Sequence, residues 1–478
     1  MSDKSIHDLS MTPDQMHRLA SRATEILVDR ITNLREQRPW EGEFRDVLED
    51  QIGGPAPEGG RPLDDLVEQI VRDVLHNNAR QDHPRFFGFV PAVPTWPSII
   101  ADYLVSGFNV HVGTWLGGSG GSQVELTVTS WLCDWLGYDS QAGGLMTSGA
   151  SAASVEALVA AREYAGHPDA PVVYMSDQSH SALPKAAYIA GVRREHIRLI
   201  DTDRQYRIDV QKLSDEIQQD RKAGLNPLAV CANAGTSSTG SIDPLLELAD
   251  FCTSEGIWLH IDAAYGGFTV LTPEGKELLK GIERADSVSM DGHKWFFQPY
   301  ETGILLVRNL DHLEAAFATG HDVIQDTVWG ANHPNFADRG LQLSRFARAL
   351  KIWMSVEMFG LSKFRAAIQH GLDLTKQAHA FIEQHPQLEV MAPTTLSIVC
   401  FRIRPNDRTY SEEELEELNR VVLAQVFWDD ETFISSTSLK GVFTLRLCIL
   451  NFATTWQDVR DTLELACRFG LDAAKKGG

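Results

Sequence analysis

Apolar residues recur near the start of the chain at the spacing of an amphipathic helix. Within "TPDQMHRLASRATEILVDRITNL", apolar side chains from Met16 to Ile31 return every three or four positions, which predicts a helix over 13–34. Thr12 and Pro13 occupy the cap and first-turn positions that favour a helix start. The stretch "IGGPAPEGGRP" then breaks the pattern, so we predict an N-terminal helical arm and linker over 1–62. The apolar stripe of the arm must be buried against its own chain or against another molecule.

Short apolar runs alternate with amphipathic segments between residues 145 and 310. The runs end in Gly, Asp or Asn and are rich in β-branched or aromatic residues: "PVVYMSD", "NPLAVCANAG", "GIWLHIDAAYGG", "ADSVSMD" and "GILLVRN". This alternation predicts an α/β domain with a largely parallel sheet and helices on its faces, which we assign to 63–345. Long helical patterns with the strands "SIVCFRI" and "VFTLRLCIL" then predict a small α+β domain over 346–478.

Composition argues against several classes of partner. Acidic residues outnumber basic residues by 65 to 43, and the resulting net charge of -22 repels nucleic acid and anionic membranes. The six cysteines lie far apart, mostly in apolar runs, which predicts reduced and buried thiols. The N-terminus lacks an apolar signal-peptide core, and no apolar run approaches the roughly 20 residues that span a bilayer. We therefore expect a cytoplasmic protein with neither a membrane nor a nucleic-acid partner.

Polar residues follow several of the predicted strands at the points where the strands end. Ligands of open parallel sheets bind beyond the carboxyl ends of the strands, so these residues are the first site candidates. They are Asp177, His180, the stretch 235–238, Asp262 and the stretch 291–294.

In addition, "MTSGASAASVEALVAAR" leads small residues into a helix, whose free N–H groups can cradle a phosphate at Gly149, Ala150 and Ser151. Taken alone, such a helix start more often reflects close packing on the sheet. The polar turn at 233–240 alone more often forms an ordinary loop, and a lone histidine such as His180 is more often structural than functional.

Two charged side chains lie in apolar surroundings where an isolated charge is costly. Lys294 precedes three bulky aromatics in "DGHKWFF", and Asp262 follows the apolar run "GIWLHI". A buried ammonium needs an acid or a covalent change, and a buried carboxylate protonates or finds a cation. A helix cap or a salt bridge is the structural alternative for Asp262.

Metal binding is a competing explanation for the histidines and acids near these strand ends, but none of them has the HxxxH or HExxH spacing. The residues concerned are His180, His260, Asp262, Asp291 and His293. A phosphate cradle, a buried acid, a ring able to stack and an apolar lysine are instead the parts that hold pyridoxal phosphate, with Lys294 in a Schiff base.

Five motifs carry a resemblance to a known family: "HPRFFGFVP", "SGASAAS", "SDQSHSA", "WLHIDAAYGG" and "SMDGHKW". Their order and spacing resemble the pyridoxal-phosphate-dependent group II amino-acid decarboxylases, above all the aromatic L-amino-acid and tryptophan decarboxylases. The resemblance runs from about residue 60 to the C-terminus. It implies the aspartate-aminotransferase-like fold (fold type I), with a mainly parallel seven-stranded sheet flanked by helices and a small C-terminal α+β domain. It also implies a homodimer with the active site at the interface and the N-terminal helix as an exchanged arm.

The resemblance implies a role for individual positions around the cofactor. Lys294 would form the Schiff base with His293 beside it, and Asp262 would pair with the protonated pyridine nitrogen. His180 would stack on one face of the cofactor ring and Ala264 would pack on the other. The phosphate would be bound by Ala150, Ser151, Thr236 and Ser237.

The resemblance also implies a place for the substrate, since Arg446 matches an arginine near the substrate carboxylate. The stretches "FFGFVPAVPTWP" and "HVGTWLGG" are rich in aromatics and poor in charge, so they suit an apolar or aromatic substrate side chain. As an alternative, their aromatics equally fit an ordinary core. The residues predicted to form this wall are Phe89, Trp96, His111 and Trp115.

The chain departs from the family in the loop at 318–345. The aromatic decarboxylases usually present a loop tyrosine that protonates Cα, but here no tyrosine occurs between Tyr300 and Tyr410. An ungapped count places Phe336 at the tyrosine position, and His321 and His333 are the nearby alternatives. Family members with phenylalanine there resemble aldehyde synthases, in which the carbanion reacts with O2 to give aldehyde, ammonia and peroxide. Protonation by a histidine or a different alignment of the loop would also explain the pattern.

The expected activity is decarboxylation of an aromatic L-amino acid, such as tryptophan, phenylalanine, tyrosine or dopa, to the amine and CO2. Aldehyde synthesis is the alternative that the missing tyrosine favours. A transaminase fits the lysine context and the stacking histidine less well. A non-catalytic cofactor-binding protein is opposed by the presence of Lys294, Asp262 and His180 together.

Overall fold

The computed structural model describes residues 9–318 and 333–477. The chain divides into two compact units, Met1–His83 and Pro84–Gly478. The boundaries after residues 62 and 345 were drawn from sequence pattern alone and stay predictions.

The first unit is helical. Helix α1 spans Pro13–Thr32, and it ends two residues before the predicted limit because a 3-10 turn follows at Leu34–Glu36. The predicted cap is confirmed, since the Thr12 side chain accepts from the Gln15 backbone N–H in a capping box. Within the described chain no residue of α1 is buried. The later elements are α2 (Arg45–Ile52) and α3 (Leu63–Gln69), which continues as a π-helical turn over Ile70–Leu75.

The second unit is built on a seven-stranded sheet. Its strands are β1 (Gly143–Thr147), β2 (Pro171–Ser176), β3 (Ile197–Ile200), β4 (Asn226–Asn233), β5 (Trp258–Asp262), β6 (Ser287–Asp291) and β7 (Gly303–Val307). The spatial order is β1-β7-β6-β5-β4-β2-β3. Strands β3, β2, β4, β5 and β6 pair in parallel, whereas β7 runs antiparallel to both β6 and β1.

The predicted mainly parallel sheet is therefore confirmed, and the five strands read from the sequence all form. Strands β1 and β3 were not predicted from the pattern. The β1 run "GGLMT" has a weak strand composition, and β3 is a short edge strand in which only Ile200 is fully buried.

Helices cover both faces of this sheet, and alternate strand residues enter a separate core on each face. Val172 and Tyr174 pack into one core cluster, whereas Val173 and Met175 pack into the other. The helices are α4 (Trp96–Phe108), α5 (Trp115–Leu136), α6 (Ala150–Tyr164), α7 (Ala182–Ile189), α8 (Val210–Lys222), α9 (Leu245–Glu255), α10 (Pro273–Leu278) and α11 (Asp311–Phe317). Short 3-10 turns lie at Arg194–His196, Gly267–Leu271, Ile282–Arg284 and Phe336–Asp338.

The C-terminal part forms the predicted small α+β region around an antiparallel sheet. Its helices are α12 (Ala349–Phe359), α13 (Leu361–Gln384), α14 (Glu412–Trp428) and α15 (Trp456–Gly477). Its strands are β8 (Leu388–Val390), β9 (Ile398–Ile403), β10 (Ser435–Leu439) and β11 (Val442–Cys448), in the order β10-β11-β9-β8.

All six cysteines are free and buried, as their apolar contexts predict. Among the described helices, none combines the length and the apolar character that a membrane crossing requires. In the same part of the chain, no group of three or more His, Cys, Asp or Glu residues is arranged to hold a metal ion.

Candidate active site

The carboxyl ends of the strands meet at one edge of the large sheet. Strands β1 and β6 both run antiparallel to β7, so β1 ends at the same edge as the parallel strands. The last residues there carry hydroxyl, amide and carboxyl groups: Thr147, Ser176, Asn233, Asp262 and Asp291. We call this edge, with the turns that leave it at 148–151, 262–264 and 291–294, the strand-end floor.

Lys294 lies in the turn that leaves β6, and its charge has a partner. Its Nζ is 3.2 Å from Oδ2 of Asp291, and the lysine side chain retains 21% of its exposure. Asp291 is itself buried, and its Oδ1 accepts from the Ala150 N–H at 2.7 Å. The Asp291 carboxylate therefore bridges the lysine ammonium and the N-terminus of α6, where a negative charge is favoured.

The start of α6 is brought against β7 by two glycines. A Cβ on Gly303 would lie 2.3 Å from backbone atoms of Gly149, so only glycine allows this approach. Ala150 is buried and its N–H is occupied by Asp291, whereas Ser151 is exposed in the first turn. The N-terminus of α6 lies beside the Lys294 turn, where the Asp291 carboxylate contacts it, and its role as a phosphate cradle stays a prediction.

Asp262 ends β5 and is half-buried in a position to bind a cation. Its Oδ1 accepts from the Ala264 N–H at 3.0 Å. Burial raises the pKa of Asp262, while the positive charge of Lys294 is the main influence that lowers it again. A second cation near this carboxylate would hold it in the ionised form, which is the requirement for pairing with a protonated ring nitrogen.

Ala264 lies next to Asp262, and His180 follows β2, which ends at the same edge of the sheet. His180 is exposed after β2, and its Nδ1 accepts from the Ala182 N–H at 3.2 Å, so Nε2 carries the proton of the neutral ring. A positive charge on His180 is one of the influences that lower the pKa of Asp262. Ala264 is buried two residues beyond Asp262.

His293, the neighbour of Lys294, is buried and neutral. Its Nε2 is 3.6 Å from Oδ2 of Asp291, and its ring lies 4.6 Å from the ring of Tyr300. Burial lowers the pKa of His293, and the nearby Lys294 charge acts in the same direction. Its Nδ1 has no hydrogen-bond partner among the described residues, so one buried polar atom at the site awaits a ligand or water.

The turn after β4 contains Thr236 and Ser237, the two remaining residues predicted to bind the phosphate. Their hydroxyl groups differ in hydrogen bonding. The Thr236 hydroxyl lies 3.0 Å from both the Thr239 and Ser241 hydroxyls, inside its own turn. Ser237 is half-buried and has no hydrogen-bond partner in the described part of the chain. Ser237 is therefore the better placed of the two to reach a ligand.

The predicted substrate residues fall into two groups, and the first adjoins Lys294. Trp96 begins α4 directly after Thr95, whose N–H donates to the carbonyl of Phe297, three residues beyond Lys294. The Nη1 of Arg446 donates to the carbonyl of Phe89 at 2.6 Å.

The thiol of Cys448 joins this group to the floor. Burial raises the pKa of Cys448, and both Arg446 and Lys294 lower it. The thiol lies 3.9 Å from Oγ of Ser397, which lies 2.6 Å from the Tyr265 hydroxyl. The Tyr265 ring stacks on Trp295, the residue after Lys294, so these contacts join β11 to the lysine turn.

The second group lies where α5 begins. The Trp115 N–H donates to Oδ1 of Asn335 at 3.0 Å, and the Trp115 ring is 5.0 Å from the ring of His333. The N–H of Arg345 reaches Nδ1 of His111 at 3.5 Å. His111 and Trp115 are thus neighbours of the segment that follows the loop.

Phe336 lies in the interior of the second unit. It is completely buried in the core cluster that contains Leu145, and the guanidinium of Arg345 lies 4.9 Å above its ring. The ring packs in the interior of the second unit, and contact of Phe336 with substrate stays a prediction. His321, the other loop residue named from the sequence, lies outside the described residues.

Two residues near the site were missed by reading the sequence. Cys448 is two positions beyond Arg446 on β11, so strand alternation places both on one face and would have found it. Ser435, whose hydroxyl contacts Phe89 and Arg446, is 346 residues from Phe89 and carries no sequence signal.

Comparison with known proteins agrees with this architecture. The model of the pyridoxal-dependent decarboxylase conserved domain matches residues 47–404. An aromatic-L-amino-acid decarboxylase of Bacillus atrophaeus is 37% identical over 455 residues, which is 95% of each chain. A phenylacetaldehyde synthase of Arabidopsis thaliana is 31% identical over 409 residues, covering 82% of this chain and 83% of that protein. The crystal structure of Oryza sativa TDC with PLP and tryptamine superposes with a TM-score of 0.92 at 26% identity, covering 98% of this chain and 99% of that one.

Proposed function

Because the chain belongs to the family of pyridoxal-dependent decarboxylases, whose cofactor is pyridoxal phosphate, we propose that it decarboxylates an aromatic L-amino acid to the amine and CO2. The assignment as a carboxy-lyase follows from the family. The observation that supports the proposal is that Lys294, Asp262 and His180 lie at or just after the ends of β6, β5 and β2, which finish at one edge of the sheet. The relatives that act on aromatic amino acids support the choice of substrate class.

The residues of the floor fit the cofactor by their chemistry. Lys294 supplies the primary amine that holds the aldehyde, and Asp262 supplies a carboxylate for the ring nitrogen. We assign His180 and Ala264 to the two faces of the ring, and Ser151 and Ser237 to the phosphate. When bound, the cofactor supplies an electron sink for the electrons of the broken Cα–carboxylate bond.

Arg446 is the group that we assign to the substrate carboxylate. It is buried, and its Nη1 is already occupied by Phe89 and Ser435. Its Nε is buried without a hydrogen-bond partner among the described residues, so part of the guanidinium is left to orient an anion. Holding the carboxylate in one direction sets which bond to Cα is aligned for cleavage.

Aldehyde synthesis is the second candidate function. No tyrosine occurs between Tyr300 and Tyr410, and one relative of this chain is a phenylacetaldehyde synthase. Because the phenylalanine side chain has no proton to transfer, we assign delivery of a proton to Cα to His321 or His333. Protonation by either histidine gives the amine, whereas reaction with O2 gives the aldehyde, ammonia and peroxide.

We further propose a homodimer with the active site at its interface. Helix α1 has no buried residue, and apolar side chains of its stripe are open to solvent, with Met16 52% exposed and Ile31 42% exposed. A partner chain that covered this stripe would remove apolar surface from water. A sedimentation experiment that found a stable and active monomer would disprove the dimer. We likewise propose a cytoplasmic location and a division into three domains, at 1–62, 63–345 and 346–478.

Product analysis in air tests the proposed function. Cofactor-loaded protein is incubated with tryptophan, phenylalanine, tyrosine, dopa and leucine, and amine, aldehyde and peroxide are measured. Amine without peroxide supports the proposal, while aldehyde with ammonia and peroxide supports the second candidate. Turnover of none of the aromatic amino acids would refute both.

A further inference from the structure

The segment at 85–89 is held between Phe433, two residues before β10, and Cys448, the last residue of β11. The Phe87 N–H donates to the Phe433 carbonyl at 2.7 Å, and the Phe87 carbonyl accepts from the Cys448 N–H at 2.9 Å. On the first side the Phe433 N–H also donates to the Arg85 carbonyl at 3.0 Å. The backbone of this segment therefore enters the site with its position set by hydrogen bonds on both sides.

Phe89 then leaves the segment in a conformation that bulky residues avoid. Its φ is +51°, in the left-handed region that favours glycine and asparagine. Its ring is 62% exposed, although Phe86 and Phe87 just before it are 1% exposed. A strained backbone conformation of this kind persists only when contacts with surrounding residues hold it in place.

Two side chains make a closed set of hydrogen bonds around Phe89. The Phe89 N–H donates to Oγ of Ser435 at 3.2 Å, and the Phe89 carbonyl accepts from Nη1 of Arg446 at 2.6 Å. The same Nη1 also donates to Oγ of Ser435 at 3.1 Å. Both polar groups of the Phe89 backbone are thus held by residues that are themselves buried.

We propose that Ser435 and Arg446 are positioning residues that hold Phe89 in its left-handed conformation, so that its ring forms a fixed wall selecting aromatic substrates. The inference rests on the proposed function and deepens it by naming what sets substrate preference. It assigns Arg446 a second role beside the substrate carboxylate. Ser435, which has no other assigned role, acts on substrate preference through Phe89, and its hydroxyl also accepts from Nη1 of Arg446.

A double-mutant cycle tests this dependence. Ser435→Ala removes the acceptor of the Phe89 N–H, and Phe89→Asn removes the ring while keeping a residue that tolerates positive φ. The measured quantity is kcat/KM for the aromatic amino acid turned over fastest, divided by kcat/KM for leucine. We expect Ser435→Ala to lower this ratio about tenfold, mainly through KM, as loss of pocket contacts does. In the Phe89→Asn background, Ser435→Ala should change the ratio no further.

Ser438→Ala is the matched control, because Ser438 lies on the same strand β10 but is exposed. It should leave the discrimination ratio unchanged. Cofactor absorbance and thermal unfolding of each variant show whether it is folded and loaded. A folded, loaded Ser435→Ala enzyme with an unchanged ratio, or independent effects of Ser435→Ala and Phe89→Asn, would overturn the proposal.

A crystal structure of the Ser435→Ala variant gives a readout that does not depend on turnover. We expect residue 89 to leave the left-handed region once its N–H has lost its acceptor. Retention of a positive φ at Phe89 would refute the positioning role even if the wild-type enzyme accepted no aromatic amino acid. Failure of the proposed function and failure of this inference are therefore separate outcomes.

Discussion

The strand-end floor is built by different contacts from Phe89 and the two residues that hold it, Ser435 and Arg446. We call these three residues the wall. In the floor, Lys294 and Asp291 are three residues apart, and Asp262 ends the strand next to theirs. In the wall, Phe89 is held by residues 346 and 357 positions away. The register of one sheet thus determines the floor, whereas the packing of the small sheet against the segment at 85–89 determines the wall. The difference indicates that cofactor chemistry and substrate preference can be changed separately.

The largest effect is expected from Lys294→Ala in the floor. Loss of the amine that holds the cofactor should lower kcat/KM by about a thousandfold or more, since covalent catalysis is lost. The absorbance of the lysine-bound cofactor should disappear as well. Lys185→Ala, which removes an exposed lysine, is the control and should match the wild type. An unchanged spectrum in Lys294→Ala would contradict the assignment of the floor.

Asp262→Asn should have the next largest effect. The amide cannot carry the negative charge that stabilises a protonated ring nitrogen, so we expect kcat to fall by about a hundredfold while the cofactor stays bound. Steady-state kinetics and the absorption spectrum measure the two effects. Asp177→Asn changes an exposed carboxylate near the end of β2 and should be nearly silent. Equal losses in both variants would mean that net charge, rather than this position, matters.

Asp291→Asn tests the carboxylate that contacts the predicted phosphate cradle. Asp291 accepts from the Ala150 N–H, so its charge competes with a phosphate at the same helix terminus. Removing that charge should tighten binding of the cofactor by about tenfold, as expected for relief of one like-charge contact. Equilibrium dialysis with pyridoxal phosphate measures the dissociation constant. Weaker binding in the variant would show instead that Asp291 helps to hold the cofactor.

Gly88→Ala tests the wall without touching a polar group. A Cβ at Gly88 would lie 2.3 Å from a ring carbon of Phe433, so the ring and the segment must shift apart. We expect a loss of about 1–3 kcal/mol in the free energy of unfolding and a rise of KM by a few fold, with kcat nearly unchanged. Urea unfolding and steady-state kinetics provide the values. A fall in kcat with unchanged KM would break the proposed separation of floor and wall.

Glu156→Gln should have the smallest effect on catalysis but a clear effect on stability. Glu156 is buried on α6, and its Oε1 accepts from the Leu341 N–H at 3.0 Å. Burial raises its pKa from 4.5 to about 7, against the opposing charges of Arg345 and Arg348. The native state therefore binds this proton more tightly than the unfolded state.

The stability contributed by the protonated carboxyl is complete below about pH 4.5 and is lost as the pH rises through about 7, by up to roughly 3 kcal/mol. Glu156→Gln should flatten this dependence, measured as the difference in urea unfolding between about pH 5 and pH 8. Glu357→Gln, at an exposed position, should retain the wild-type difference. If the wild-type protein were instead more stable at the higher pH, and Glu156→Gln removed that difference, the raised pKa of Glu156 would be contradicted.

Much of the large sheet and several local features were determined by the sequence alone. Five strands of the large sheet, the Thr12 cap and the burial of the cysteines follow from local periodicity and composition, and the structure confirms them. The placement of Asp262 and of the Lys294 turn at one edge follows because parallel strands end together. The missing loop tyrosine is also a property of the sequence alone.

Only the tertiary structure decided the rest. The partner of Lys294 is Asp291, the ring of Phe336 lies in the core, and Ser435 holds Phe89. The predicted substrate residues separate into one group beside Lys294 and another at the start of α5. Local patterns report which face of a strand or helix is apolar, but they carry no information on which distant segments pair. The wall depends on such pairing, and for that reason it could not be read from the sequence.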